Sequence, residues 1–171
     1  MIAMQRKGPN EIIRHGRLVF IKLTRGKWAI IDAGDYIKVS KYRWYAHTQY
    51  EIWYACMGQY SGDKHSTVGM HKLICPTSLH VDHRNGNGLD NRRKNLRPAT
   101  HAENQQNAHI RSDNTSGCKG VYYASKESKW KAQIRINGAR IRLGTFATKQ
   151  EAKAAYDLAA LNNFGEFSRI K

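Results

Sequence analysis

An α+β fold built from two modules is predicted by three features of the chain. Apolar runs are short and strand-like, helical spacing appears in few places, and a polar stretch separates two differently patterned halves. In the first half, Arg17–Leu23, Lys27–Ile31 and Glu51–Cys56 read as strands, punctuated by Arg25-Gly26 and Ala33-Gly34-Asp35. Trp28, Trp44 and Trp53 are expected to pack in the core or on the sheet. Met70–Ile74 has helical spacing and stops before Pro76. The expected division is a first domain over 1–108, with its chemistry in 79–108, a linker over 109–117, and a second domain over 118–171.

Charge narrows the partner. Lys and Arg total 29 against 13 Asp and Glu, a formal net charge of +16. Such an excess suits a polyanion, because cationic side chains displace counterions condensed on a phosphate backbone. No apolar run approaches the ~20 residues needed to span a bilayer, and no long basic amphipathic helix is present to lie on one. Residues 1–7 lack the apolar core of a secretory signal. Cys56, Cys75 and Cys118 are widely spaced and lack a Cys-x-x-Cys, so free thiols in a reducing, cytoplasmic setting are expected.

The densest chemistry lies between Leu79 and Asn104. A short strand, Leu79–His83, ends in an Asp-His pair, and Asn85-Gly86-Asn87-Gly88 then supplies residues that tolerate positive φ. Asn95-Leu96-Arg97 reads as a return strand. Thr100-x-x-Glu103 forms a capping box that starts a helix at His101 and puts Asn104 on its first turns. Hydrolysis of a phosphodiester requires an activated water and a counter-charge for the pentacovalent phosphate. The His83 imidazole suits the first task, and a side-chain amide such as Asn95 would hold it in place. Asp82, with an amide oxygen from Asn104, offers hard ligands to Mg²⁺ or Mn²⁺. Arg84, Arg93 and Arg97 read as phosphate contacts around the cleft.

Asp82-His83, Asn95-Leu96-Arg97 and the helix carrying Asn104 resemble the HNH, or ββα-metal, nuclease motif, closest to its phage and intron-encoded homing branch. That resemblance covers residues 79–108, with Met70-His71-Lys72-Leu73 upstream also typical. It implies His83 as general base, Asn95 as its orienting partner, and Asp82 with Asn104 as metal ligands. Many relatives carry His where this chain has Asn104, which favours an oxygen-loving ion over zinc.

The second half carries a different pattern. Residues 119–142 contain seven Lys or Arg and one acid, Glu127. In Trp130–Ile136 the apolar residues alternate with Lys131, Gln133 and Arg135, so the polar set shares one face of a strand. Asn137-Gly138 signals a tight hairpin, after which Arg140 and Arg142 face one way and Ile141 and Leu143 the other. Gly120–Ala124 supplies a first strand with Val121 and Tyr123 inward. Thr148-x-x-Glu151 caps a helix that ends near Gly165, its stripe of Ala152, Ala155, Tyr156 and Ala159 facing the sheet. The block from 117 to 168 is similar to the Apetala (ethylene-response-factor) DNA-binding domain. By that likeness Lys119, Tyr122, Gln133, Arg135, Arg140 and Arg142 face DNA, and the alternation places Lys131 on the same DNA-facing side.

The combined expectation is a ββα-metal nuclease module with an N-terminal strand-rich region, joined to a three-stranded antiparallel sheet packed on one helix. The second domain would select a site in double-stranded DNA, and the first would nick one strand there. One metal centre per chain suits a monomer, with a dimer required for a double-strand cut. Two rival readings remain at this level: a DNA-binding regulator with a decayed nuclease fold, and a nuclease of structured RNA.

Overall fold

The structure is a computed structural model that describes residues 10–49, 51–61 and 64–170. The stretch read as lacking a signal core lies outside the described residues. Packing divides the chain into two compact units, Met1–His101 and Ala102–Lys171. The architecture is mixed, with several small antiparallel sheets and few helices, as the α+β expectation requires.

In the first unit, β1 (Ile12–His15), β2 (Leu18–Lys22) and β3 (Trp28–Asp32) form an antiparallel meander. Period-two alternation decides which face is inward: Val19 pairs with Ile31 and Ile21 with Ala29, and all four are buried. A short helix α1 (Tyr36–Val39) leads to a second meander, β4 (Tyr45–Gln49), β5 (Ile52–Ser61) and β6 (Lys64–Gly69). Then come α2 (Met70–Ile74) and a hairpin of β7 (His80–His83) with β8 (Leu96–Ala99). Helix α3 (His101–Asn107) starts where the capping box predicts.

One apolar core joins these pieces, drawing Ile31 from β3, Trp44 from the residue just before β4, Met70 and Ile74 from α2, and Val81 and Leu96 from the hairpin. Trp44 is the largest side chain fully inside, and its indole N–H donates to the Val39 carbonyl at 2.9 Å, so its burial leaves that donor satisfied. Trp28 and Trp53 are only half-buried. The β7–β8 hairpin therefore rests on the same core as the N-terminal sheet.

In the second unit, β9 (Val121–Ala124), β10 (Lys129–Ile136) and β11 (Ala139–Phe146) form a sheet with β10 central, covered by α4 (Lys149–Phe164). The capping box is complete: Thr148 Oγ1 accepts from the Glu151 N–H, and the Glu151 carboxylate accepts from the Thr148 N–H. Val121, Ala132 and Ala152 meet in the core between sheet and helix, and Ala160 is buried as well. Tyr123 shares the face of Trp130 yet stays 51% exposed, because β9 is an edge strand. A bulge interrupts the β10–β11 register: Gln133 pairs with Arg142, but Ala132 pairs with Gly144, leaving Leu143 as the extra residue. Gly144, at φ 148°, takes a backbone conformation that suits glycine.

The segment read as a linker is locally folded. Asn114 Oδ1 accepts from the Gly117 N–H and the Ser116 hydroxyl, while its Nδ2 donates to the Cys118 carbonyl. Cys56, Cys75 and Cys118 are free thiols. No helix among the described residues is long and apolar enough to cross a membrane.

Candidate active site

Asp82 and His83 are consecutive at the end of β7 and both are buried, at 3% and 6% exposure. Successive strand residues point to opposite faces, so the two side chains enter different surroundings. Asp82 pairs in register with Arg97 on β8, whose Nε donates to Asp82 Oδ2 at 2.8 Å. His83 faces two aromatic walls: the His71 ring lies at 5.2 Å and the Tyr54 ring at 5.9 Å between centroids, both edge-on.

The loop from Arg84 to Asn95 is a polar knot with few choices of shape. Asn85 Nδ2 donates to Asp90, the Asn87 N–H to Asn85 Oδ1, and the Leu89 N–H to Asn87 Oδ1. Arg92 clamps Asp90, and its bonds outweigh the opposing effect of burial, so the Asp90 carboxyl is held below its ordinary range. Leu89 and Asn91 exchange backbone hydrogen bonds with Ile30, docking the knot on β3. Gly88 has no room for a side chain, since a Cβ there would stand 2.5 Å from both the Trp53 carbonyl oxygen and the Tyr54 ring.

This knot delivers an amide to the imidazole. Asn91 is completely buried, its Nδ2 donates to the Leu89 carbonyl at 3.2 Å, and its Oδ1 lies 3.4 Å from His83 Nε2. An amide oxygen only accepts, so this contact selects the tautomer with hydrogen on Nε2 and leaves Nδ1 as the basic atom. Burial lowers the pKa of His83, opposed by the Asn91 contact and the fields of Asp82 and Asp90. His71 is also pushed down, to about 3, by burial and then by His83 and Lys72. Both rings are neutral at neutral pH.

Asn95, expected as the orienting amide, has its own work. Its Oδ1 accepts from the Asn85 N–H at 3.0 Å and its Nδ2 donates to the Asp90 carbonyl at 2.7 Å, closing the knot. Asn91 is the residue sequence reasoning missed. Asn104 is half-buried on α3, in the segment that packs with the second unit.

The three cleft arginines differ from one another. Arg84 is exposed. Arg93 forks onto buried Asp35 at 2.9 and 2.6 Å, and its N–H donates to Asp32. Arg97 is 5% exposed and turned inward to Asp82, because that carboxylate faces it directly across the hairpin.

On the second unit, cross-strand register puts Tyr122, Lys131, Gln133, Arg135, Arg140 and Arg142 on one face. Arg135, Arg140 and Arg142 are exposed, and Lys131 is ion-paired with Glu127. Lys119 behaves differently: its Nζ donates to the Gln106 carbonyl at 2.8 Å, and burial followed by repulsion from Arg169 lowers its pKa to about 8. Arg169 itself reaches the Asn107 carbonyl at 3.5 Å. Both cations thus sit at the C-terminal end of α3, where the helix presents its unbonded carbonyls.

The family model described as HNH endonuclease matches residues 70–106, and that described as AP2 domain matches 116–166. The chain is 32% identical over 160 residues to an uncharacterized HNH endonuclease of Acanthamoeba polyphaga mimivirus, covering 87% of this chain and 78% of that protein. An ethylene-responsive transcription factor-like protein of Arabidopsis thaliana is 41% identical over 58 residues, which is 33% of this chain and 25% of that protein. Protein 3.8 of Escherichia phage T7 is 33% identical over 63 residues, 37% of this chain and 52% of that protein. No solved structure matches. The stretch that binds His83 into its polar knot and the sheet with the arginine face fall within the two matched regions, and the chain belongs to the HNH endonucleases, with an AP2-type DNA-binding domain at its C-terminal end.

Proposed function

We propose that this protein is a site-selective, metal-dependent nickase of the homing type, which hydrolyses a phosphodiester bond of double-stranded DNA at the His83 pocket. The observation that carries the reading is the buried His83 ring with Asn91 on Nε2 and Asp82 beside it on the strand. His83 Nδ1 takes a proton from the attacking water, whose oxygen forms the new bond to phosphorus as the bond to the leaving oxygen breaks. Asn91 holds the tautomer and accepts the stronger hydrogen bond once the ring is protonated. Asn95 acts through the loop, keeping the knot closed around Asn91. His83, Asn91 and Asn95 thereby form the candidate site on β7, its loop and β8.

A divalent ion fits the donors present. Asp82 offers a hard carboxylate, and no group of three His, Cys, Asp or Glu side chains gathers among the described residues. So sparse an oxygen set suits Mg²⁺ or Mn²⁺, which keep waters and phosphate oxygens in their shell, and does not suit a structural zinc. Asp82 and Asn104 would hold the ion, and it would supply charge neutralisation at the phosphate.

The 118–171 domain selects the site through Tyr122, Lys131, Gln133, Arg135, Arg140 and Arg142, and Arg84 contacts phosphate near the cleft. Free thiols and viral relatives support action in a host cytoplasm. The decisive test is a plasmid-cleavage time course with and without Mg²⁺ or Mn²⁺. Nicked circles should precede linear product. His83→Ala should slow nicking by about 10²–10⁴-fold with DNA affinity retained. Immediate linear product at low protein concentration would exclude a monomeric nickase, and metal-independent binding without any cutting would leave a DNA-binding regulator.

A further inference from the structure

Arg92, Arg93 and Arg97 are all bonded to carboxylates, and further cations of the first unit lie away from this loop. Two of them converge on one indole. The turn Thr24–Gly26, between β2 and β3, sends Arg25 to 5.4 Å and Lys27 to 5.1 Å from the Trp53 ring centroid. Both distances are within the range of cation–π attraction. Neither cation is hydrogen-bonded or ion-paired to a carboxylate among the described residues. Lys22, close by over Trp28, differs in this respect, because it is bonded to Glu11 at 2.6 Å.

The turn is built to hold this arrangement. Arg25 sits at φ 59°, ψ 30°, a left-handed conformation that a residue with a side chain adopts only when its surroundings impose it. Thr24 Oγ1 accepts from the Ala46 N–H at 3.0 Å, which pins the turn to β4. Gly26 follows at φ 65° with open space around its Cα. Trp53 is also adjacent in β5 to Tyr54, the wall of the His83 pocket, and its carbonyl abuts Gly88 of the catalytic loop.

We infer that Arg25 and Lys27, steadied on Trp53, form a phosphate-contact surface of the nuclease unit that grips the DNA backbone independently of the AP2-type sheet. The occupant is duplex DNA, argued from charge: two cations on an apolar floor match a polyanion, and no carboxylate among the described residues is bonded to either of them. Their long side chains are already ordered on the indole, so less conformational freedom is lost when a phosphate arrives. Such a surface carries no base-reading group and contributes equally to every sequence. The inference rests on DNA as the partner, and its test is built to separate the two.

The experiment measures duplex DNA binding by the full chain across a salt series, with EDTA present to prevent cutting. The variants are R25Q/K27Q on this surface and R140Q/R142Q on the sheet, each checked for an unchanged thermal midpoint. R25Q/K27Q should weaken binding several-fold, equally for a preferred and an unrelated duplex. It should also flatten the slope of log K against log salt by about 0.9 per lost phosphate contact. An unchanged slope in R25Q/K27Q beside a flattened one in R140Q/R142Q would overturn this surface and keep DNA as the partner. No change in either variant would overturn both. A loss confined to the preferred duplex would also overturn it, since that would mark base reading.

Discussion

Two stretches rich in arginine, 84–97 and 129–146, resemble each other in composition, yet most of their guanidinium groups do different things. Around the 84–95 loop, Arg92 clamps Asp90, Arg93 forks onto Asp35, and Arg97 meets Asp82 across the hairpin. On the sheet, Arg135, Arg140 and Arg142 stand exposed on one face. The difference is the supply of carboxylates. The strands and turn from 129 to 146 contain no Asp or Glu, whereas the loop's arginines have four aspartates within reach. A cation near acids in a folded unit becomes a brace, and one without them becomes a surface for an anionic partner.

The comparison can be broken most directly at Arg97. Removing one member of a buried ion pair strands the other, so Arg97→Ala should cost roughly 3–5 kcal/mol of stability. A denaturant titration would read this, and a loss below about 1 kcal/mol would mean the pair is no brace. Acid gives a second probe of the same interior. His71 has its folded pKa lowered to about 3 and His83 shifts the same way, while the unfolded imidazole keeps an ordinary value near 6.5. Between those values the unfolded chain binds more protons, so stability is full above about pH 6.5 and falls as pH drops below it. The measurement is the thermal midpoint between pH 7.5 and 4.5, and the expected decline should shrink in His71→Phe. The smallest effect belongs to the sheet. Arg140→Ala should alter stability by less than about 0.5 kcal/mol, yet reduce the salt slope of DNA binding by about 0.9.

Much of the site was legible because local chemistry dictated it. The Asp-His pair, the Gly/Asn loop and the capping box mark hairpin and helix within a residue or two, as does Thr148-x-x-Glu151 for α4. The alternation in 130–142 put Gln133 and the arginines on one face. β1, β4 and β6 escaped notice. In β4, Tyr45–Gln49, Ala46 is the sole buried residue, so there is no period-two contrast to read. β5 runs to Ser61, beyond its apolar start, because backbone pairing with β6 sustains it. Asn91 could not be singled out among the loop's amides, since its aim depends on the docking of residues 89–91 against Ile30. The bulge at Leu143 follows from the register with β10, which no single strand encodes.

The polar contacts at the end of α3 bear on how such an enzyme could be retargeted. A chimera spliced within 109–117 looks conservative on paper, but it would take Lys119 and Arg169 away from the Gln106 and Asn107 carbonyls they satisfy. A donor domain lacking equivalent cations would leave that helix end bare. An exchange that keeps α3, and Asn104 on it, therefore has to bring cations equivalent to Lys119 and Arg169 for that helix end.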